Sequence, residues 1–550
     1  MKKSLNKNYS GFGFLCPEFL FKFFLYSLPV VLFFSYYPII SFGANESMNF
    51  ELSLPLIWLV VFDVFSFGFL VKEKKLKNIL KYWQWLLFPA FLTISVFWSP
   101  NFLRGILTIG ILWLIYFAVF SIFSLRKLID AVFRKKFFKV FFISAIIVSA
   151  WCFVQCVLDL AGVGREYSLM CAGCTYRSFG FPHPNGFAIE PQFMGNLLLA
   201  PAIVSIWFFV KDESNSTFRG RVASARRHGR RALMCSVVTS AMPLKVLLPF
   251  VLISTLFLTF SRGAIYAFVV AMIFVTSLCC TKYLTRDRKL ERAPLKVLWD
   301  TGTKRRVSRG KLFRVVGSLW GIIILAFLFT LNLQGIMAQV SRTNDTYFSG
   351  ISKVLNHLSL GIIDLRGGNN IVSIDPSEES SEEGQAPKSE TQLAEDYAEN
   401  SEATGENASF DGYVAESTDV RVGLSKAAIR AWLKDLKTIL FGVGVGGAGE
   451  TLYRDGLSSS PKEITQNQYT SLLLEAGAVG ILLLVLTLAL ILRVVTKDPS
   501  ATLILTLLVA YGISLLFFSG LPNALHIYLL PPVLMVLLDQ NNSLRKKLVS

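Results

Sequence analysis

Histidine is scarce in this sequence, and cysteine shows little pattern. The 550 residues include 4 His and 8 Cys. No two His stand at the spacing of zinc ligands, so the sequence predicts no zinc site, and we expect neither a metal nor another cofactor. Cys171 and Cys174 form a Cys-Ala-Gly-Cys element in which a disulfide is possible, whereas the remaining cysteines lie in or beside apolar runs.

Charged residues are also few. They make up 17% of the chain against 53% hydrophobic residues, which include 47 Phe, and the mean hydropathy is +0.52. Apolar runs of about 20 residues recur along the chain, which is the length that crosses a bilayer as a helix. This composition excludes a soluble globular protein and predicts an all-α polytopic membrane protein.

The formal net charge of +18 does not indicate a nucleic-acid partner. The basic residues are concentrated at 72–77, 126–136, 219–231 and 282–314, in short segments between apolar runs. Cytoplasmic loops of membrane proteins carry such Lys and Arg clusters. The charge therefore predicts topology, and in part contact with anionic lipids of the bilayer.

The apolar runs predict about twelve transmembrane helices. They fall at 18–42, 51–71, 79–98, 103–124, 137–161, 186–210, 244–261, 264–281, 315–337, 469–492, 500–519 and 522–538. The first run is too long for a signal-peptide core and is interpreted as an uncleaved helix. Basic residues near both ends of the chain place both termini in the cytoplasm.

One large extracytoplasmic loop is predicted between spans nine and ten. The membrane domain then consists of spans one to nine (1–337) and spans ten to twelve with a cytoplasmic tail (469–550), and the loop covers 338–468. Within it, residues 373–419 are rich in Asp, Glu, Ser, Gly and Asn and have almost no aliphatic residues. Such a composition cannot form a core, so this stretch is predicted to be a disordered acidic insertion.

A first polar segment, 177–191, precedes the sixth predicted span. Pro182 and Pro184 stop a helix on their N-terminal side, so the span is predicted to begin near Asn185 with outward-facing N–H groups. Such a helix start can bind an anion, or Glu190 can simply interact with its dipole. The other candidate site residues of this segment are Arg177 and His183.

A second element, Phe260-Ser261-Arg262-Gly263-Ala264, lies between two apolar runs and is too short to be a loop. We interpret it as a tight hairpin at the outer face of the bundle. An arginine there either extends its charged end to the interface or has an anionic partner.

A third stretch, 419–480, returns the chain to the membrane. It places Arg421 on an amphipathic helix, continues through a glycine run at 442–447, and reaches Gln466-Asn467 just before the tenth predicted span, which carries Glu475. The glycines are predicted to end the helix. Polar groups are thereby brought to the lipid–water boundary.

These three elements resemble the O-antigen ligase and O-antigen polymerase family of bacterial surface-polysaccharide enzymes. The family carries a Pro-Asn-x-x-Ala element, matched by Pro184, Asn185 and Ala188, and a Ser-Arg-Gly-Ala hairpin, matched at 261–264. Its closing segment has an Arg before a Trp-containing helix, a Gly-x-Gly turn, a His-Asn element and a Glu-x-Gly. The order is kept here, but Gln466 stands where the family has His.

The resemblance implies a metal-independent, inverting glycosyltransferase of the bacterial cytoplasmic membrane whose active site faces the exterior. Its donor would be a glycan on undecaprenyl diphosphate. The acceptor hydroxyl would belong to a lipid A core, a second lipid-linked repeat, or a protein. Without a metal, arginines must stabilise the leaving diphosphate. The residues expected to bind substrate are Arg177, Asn185, Arg262, Arg421, Asn467 and Glu475, and Arg165 and Arg430 are lesser candidates.

The catalytic base is open at this point. An amide such as Gln466 accepts no proton near neutral pH, so it either orients the acceptor or leaves the role to another residue. The residues that could supply a base are Glu190, His183, Glu475 and His526.

Two other classes of function also fit the composition. A lipid-linked sugar flippase or transporter would have a similar number of spans, although no internal repeat is evident and Asp63 and Asp159 are the main acids within spans. A non-catalytic assembly partner of the polysaccharide machinery would keep the fold and could lose the base.

Overall fold

The computed structural model describes residues 17–34, 38–42, 50–171, 174–176, 180–215, 242–285, 309–341, 346–360, 363, 410–461, 465–495, 501–519 and 524–538. Within these ranges the protein is mainly helical, with one short pair of antiparallel strands. We number the α-helices and strands in chain order and leave the 3₁₀ segments unnumbered.

The first half of the chain comprises α1 Pro17–Phe34, β1 Pro38–Phe42, β2 Phe50–Ser53, α2 Leu54–Lys72, α3 Leu87–Ser95, α4 Phe102–Leu125, α5 Ala131–Leu160, α6 Arg165–Ser168 and α7 Pro191–Asn215. The second half comprises α8 Met242–Leu258, α9 Arg262–Thr285, α10 Arg309–Val340, α11 Tyr347–Leu358, α12 Phe410–Trp432, α13 Leu436–Phe441, α14 Ala448–Arg454, α15 Gln468–Val495, α16 Ala501–Ser514 and α17 Leu525–Leu538. Short 3₁₀ helices cover Leu76–Leu86, Val96–Trp98 and Arg126–Leu128.

Among the described residues, 8 helices are long and apolar enough to cross a membrane. They are α1, α2, α4, α5, α7, α9, α10 and α15. Four shorter apolar helices, at Trp83–Trp98, Val246–Leu258, Ala501–Ser514 and Leu525–Leu538, occupy the positions of the other predicted spans. The protein is therefore a multi-pass, helical membrane protein.

The first predicted span, 18–42, was too long. Helix α1 ends at Phe34, and β1 then pairs with β2, with Phe42 opposite Phe50. Pro38, which falls inside the predicted span, opens β1, and a proline in a helix interior removes a backbone hydrogen bond. The third predicted span also begins differently, since the 3₁₀ segment Leu76–Leu86 precedes α3.

The sixth span does not begin near Asn185, as the sequence predicted. Helix α7 starts at Pro191. A turn closed by the Ala188 N–H on the Asn185 carbonyl, with Gly186 at φ +59°, separates Asn185 from the helix. A left-handed residue cannot continue an α-helix, so the predicted anion site at a helix start near Asn185 is wrong.

The acidic insertion predicted at 373–419 extends too far at its C-terminal end. Residues 410–419 belong to α12, which runs continuously to Trp432. Phe410, Tyr413 and Val414 interrupt the polar composition there, and a helix can extend through them from its amphipathic half. Residues 364–409 lie outside the described part of the chain.

One large apolar core joins α1, α2, α4, α5, α7, α8, α9, α10, α16 and α17. Within the bundle α9 packs along α16, and α8 lies between α7 and α10. Large apolar side chains also face outward, among them Val64 at 70% and Phe313 at 80% relative exposure. Such exposure is expected of surfaces that contact lipid.

Candidate functional site

The Ser-Arg-Gly-Ala hairpin joins α8 to α9. Gly195 of α7 lies against it, and a Cβ at Gly195 would stand 2.9 Å from the Ser261 Cβ and 2.8 Å from the Ala264 Cβ. A Cβ at Gly263 would stand 2.7 Å from the Phe517 Cβ. The small residues of the motif therefore serve close packing. Arg262, which is half-buried, is the member that carries charge.

Helix α11 packs against this hairpin. His357 Nε2 lies 3.0 Å from the Phe260 carbonyl oxygen, and the Tyr266 hydroxyl donates to the Leu358 carbonyl. Phe260 has φ +47°, a left-handed conformation that costs energy in a residue with a side chain. The contacts from α11 stabilise the bend that directly precedes Ser261 and Arg262.

His183 lies inside an aromatic cluster beside the hairpin. Its ring centroid is 4.7 Å from that of Phe181 and 5.5 Å from those of Phe260 and His357. Burial, and after it the charge of Arg262, lowers the pKa of His183 to about 3. A group with such a pKa is neutral at physiological pH and accepts protons weakly. The predicted role of His183 as a base is therefore poorly supported by its surroundings.

Arg421 reaches the same region from α12. Its Nη1 donates to the Phe517 carbonyl at 3.5 Å, and the Gln192 side-chain amide donates to the same oxygen. Burial, and after it the charge of Arg262, lowers the pKa of His357. Phe517 also lies against the Arg262 hairpin, since a Cβ at Gly263 would stand 2.7 Å from the Phe517 Cβ. Arg262 and Arg421 converge on one place although they are far apart in the sequence.

The Gln466-Asn467 element meets the same segment at the end of α16. The Gln468 N–H donates to the Leu515 carbonyl at 2.9 Å, two residues before the Phe517 carbonyl that Arg421 contacts. Gln466 has φ +52°, so its backbone is held in a left-handed conformation. Such outliers are found at functional sites when the surrounding structure holds them in place.

Asn467, predicted to bind substrate, caps helix α15. Its Oδ1 accepts from the N–H groups of Tyr469 at 3.0 Å and Thr470 at 3.3 Å. A side chain that satisfies the first N–H groups of a helix in this way stabilises the helix start. The structure therefore supports a structural role for Asn467.

Glu475, also predicted to bind substrate, contacts the glycine turn at 442–447. A break in α15 at Gly477 leaves the carbonyls of Leu474 and Glu475 to accept from the N–H groups of Val443 at 2.9 Å and Gly444 at 3.0 Å. The Glu475 Oε1 accepts from the Ala448 N–H at 3.5 Å. The residue fixes the chain where it re-enters the bundle.

Asn185 is fully buried within the protein. Its Nδ2 donates to the Ala188 carbonyl at 2.6 Å, and its Oδ1 accepts from the Gln155 side chain at 3.3 Å. Gln155 also bonds both backbone groups of Gly186. These bonds hold the segment before α7 in shape, which favours a structural role for Asn185 over the predicted substrate contact.

The remaining predicted site residues differ in position. Glu190 is exposed directly before α7 and stands two residues from Gln192, which contacts the Phe517 carbonyl. His526 is fully buried, with its ring 6.1 Å from that of Tyr511. Cys171 and Cys174 are joined by a disulfide. Arg177 lies outside the described residues.

The sequence analysis missed three contributors to this site: Gln192, Phe517 and His357. The last had a signal in the sequence. In α11 the polar residues Ser352, Lys353, Asn356 and His357 share one helical face, and all four are buried, while Phe348 is 77% exposed. A short amphipathic helix next to a membrane can direct its polar face inward.

The arrangement is suited to binding an anion. It combines two half-buried arginines with a neutral histidine pair, at a place where α7, α9, α11, α12 and the end of α16 meet. Guanidinium groups match phosphate and carboxylate oxygens with paired hydrogen bonds. In the described ranges, no group of three or more His, Cys, Asp or Glu could hold a metal ion.

Searches against family models, curated proteins and solved structures found no match to this chain.

Proposed function

We propose that this protein transfers a glycan from an undecaprenyl-diphosphate carrier to an acceptor hydroxyl, as a metal-independent, inverting glycosyltransferase. The observation that carries the proposal is the convergence of Arg262 and Arg421 on the region of His357 and the Phe517 carbonyl. Two arginines from distant parts of the chain provide a place for a group with two negative charges. A diphosphate is such a group.

The reaction requires three events at this place. The acceptor oxygen bonds to the anomeric carbon of the donor glycan, the bond from that carbon to the diphosphate oxygen breaks, and the acceptor proton passes to a base. Negative charge grows on the departing diphosphate as its bond breaks. Fixed cations that meet this charge stabilise the transition state more than the bound substrate.

On the acceptor side, the proposal assigns Gln466 to orientation and Glu190 to proton removal. Gln466 cannot act as a base, and its strained backbone holds it beside the segment that Arg421 also contacts. Of the four base candidates, Glu190 is the exposed one, whereas His183 and His526 are buried and Glu475 binds the glycine turn. An exposed carboxylate is accessible to an incoming acceptor.

The membrane arrangement completes the proposal. Twelve spans would place both termini in the cytoplasm and the loop of 338–468 outside, so that the arginine pair faces the exterior of the bacterial cytoplasmic membrane. The partners would be the lipid-linked donor and an acceptor from a lipid A core, a lipid-linked repeat or a protein.

The test is glycan transfer by the full-length protein reconstituted in lipid vesicles with chelator present. Arg262→Ala and Arg421→Ala should each lower the rate about ten- to a hundredfold, the value of one charge-assisted contact to phosphate. Arg454→Ala, which removes an exposed arginine paired with Glu450, is the matched control and should leave the rate unchanged. Wild-type rates in both site variants would refute the role of the pair, and loss of transfer on adding chelator would indicate a metal mechanism.

The identity of the acceptor can be tested in cells by deleting the gene and separating surface glycans by size. Loss of a ligase removes all capped lipid, whereas loss of a polymerase leaves single repeats. Unchanged surface glycans together with altered glycoproteins would indicate a protein acceptor.

A further inference from the structure

Helices α12 and α13 carry a row of exposed apolar side chains outside the predicted spans. Along α12 the row follows the helical repeat, while Leu424, Ala427, Ala428 and Ala431 point to the opposite side and are buried. We call the row the α12–α13 stripe; it consists of Val422, Ile429, Leu433, Leu436, Leu440 and Phe441, with relative exposures from 37% to 71%.

Basic side chains lie alongside the stripe. Lys426, Arg430, Lys434 and Lys437 are all exposed. Two nearby carboxylates are bonded: Asp435 accepts from the Thr438 N–H at 2.8 Å, and Asp455 accepts from Lys434 at 2.9 Å. The surface is therefore apolar with a positive border, the pattern of a helix that lies in a membrane interface.

Contacts of the glycine turn show at which level of the bundle the stripe lies. A Cβ at Gly477 would stand 2.5 Å from the Leu440 carbonyl oxygen. Gly477 lies nine residues into α15, or roughly 14 Å along a regular helix from its start. A Cβ at Gly446 would stand 2.8 Å from the Gly105 backbone nitrogen, in the first turn of α4. The start of α4 has its own exposed apolar residues, with Phe102 at 51% and Ile106 at 46%.

We infer that the α12–α13 stripe docks on the bilayer at the leaflet where α15 enters it, with its basic border on the phosphates of anionic phospholipids. The end of α13 stands level with residues of α4 and α15 that belong to apolar spans, so the nearest apolar medium is the lipid itself. This contact holds one wall of the arginine site, because α12 also carries Arg421. It would exist whatever reaction the protein catalyses.

The experiment places a fluorescent non-natural amino acid at Leu436, the most exposed residue of the stripe, in the full chain reconstituted in nanodiscs. The same label at Leu482 of α15, which is 59% exposed within a span, serves as the lipid reference. A label at Arg454, part of an exposed ion pair, serves as the water reference. Quenching is measured with brominated phospholipids and, separately, with acrylamide in the buffer.

Lipid contact predicts that brominated lipid quenches position 436 about threefold more strongly than position 454, and that acrylamide shows the reverse order. In discs of phosphatidylcholine alone, or with the charge-reversing pair Lys426→Glu and Arg430→Glu, the lipid quenching at 436 should weaken. Acrylamide quenching at 436 equal to that at 454 would overturn the inference. Protection from both quenchers would also overturn it, because a protein surface would then cover the stripe. Equal lipid quenching with and without anionic lipid would overturn the role of the basic border.

Discussion

Two polar regions of this protein, the glycine turn at 442–447 and the arginine pair Arg262 and Arg421, use their polar groups in opposite ways. In the turn, the N–H groups of Val443 and Gly444 donate to the backbone carbonyls of Leu474 and Glu475 at 2.9 and 3.0 Å. In the pair, Arg421 and the hairpin of Arg262 both meet Phe517, which brings two positive charges to one region. The first arrangement satisfies backbone groups within the fold, whereas the second is suited to binding an anion.

The comparison separates two kinds of residue that the sequence motifs did not distinguish, those that bond the backbone and those that carry charge. Glu475, Asn467 and Asn185 bond backbone groups of neighbouring turns. Arg262 and Arg421 remain half-buried at the junction of several helices. Substitutions in the turn should therefore reduce stability, and substitutions in the pair should reduce function with the fold intact.

The largest effect is expected from Gly442→Ala. A Cβ at this position would stand 2.3 Å from the Glu475 carbonyl oxygen, and the residue has φ +71°. Backbone strain and overpacking together should cost roughly 3 kcal/mol or more. Thermal unfolding in detergent measures the loss, with Gly456→Ala as the control. Gly456 has φ +69° but open space around it, so its substitution should cost only about 1 kcal/mol.

The second effect is expected from Arg262→Lys, which keeps the positive charge. An ammonium cannot reproduce the two parallel hydrogen bonds of a guanidinium, so transfer should fall about tenfold while the melting temperature stays near that of the wild type. Transfer rate and thermal unfolding are measured on the same preparation. Full activity of the lysine variant would show that charge alone suffices at this position.

His357 allows the positioning of Arg262 to be tested without touching either arginine. His357→Leu leaves the Phe260 carbonyl without its present partner and should cost about 1–3 kcal/mol in stability, with a lower transfer rate. His357→Gln can donate to the same oxygen and should restore much of both. Equal behaviour of the two variants in both assays would contradict a role for this hydrogen bond.

The smallest effect concerns pH. Because the pKa of His183 is lowered to about 3 in the folded protein, the unfolded state, with a histidine pKa near 6.5, binds more protons between these values. The contribution of His183 to stability should be nearly complete above pH 7 and fall as the pH drops through this window, by about 1.4 kcal/mol at pH 5.5. Unfolding at pH 7.5 and 5.5 measures the difference, which His183→Asn should reduce by that amount. An unchanged difference would mean that His183 does not carry it.

The parts of the fold that follow from local composition were predictable. Long apolar runs produced helices where they were expected, and the hairpin at Arg262 lies between two helices as predicted. Errors arose where one residue changes the backbone locally, as at Pro38 and Gly186. Hydrophobic periodicity does not detect such residues, because proline restricts the backbone through its ring and glycine adopts left-handed φ angles without a steric cost.

The site was predictable only in part. Charge at a membrane boundary indicated Arg262, because a charged side chain is costly there without a partner, and the resemblance to the polysaccharide enzymes added Arg421. The same logic could not show that the oxygen and nitrogen atoms of Asn185 and Asn467 are engaged by neighbouring turns, since the partners are backbone groups. Nor could it find the Phe517 carbonyl, which becomes a common contact of Gln192 and Arg421 only after α7, α12 and α16 have packed.

The central claim, that Arg262 and Arg421 bind one diphosphate together, is tested most directly by a double-mutant cycle on binding of the diphosphate carrier. Affinity for undecaprenyl diphosphate is measured by calorimetry in nanodiscs for the wild type, Arg262→Ala, Arg421→Ala and the double variant. If both arginines contact the same diphosphate, the losses should be non-additive, with a coupling free energy of about 1 kcal/mol or more. Losses that add to within about 0.5 kcal/mol would contradict the shared site.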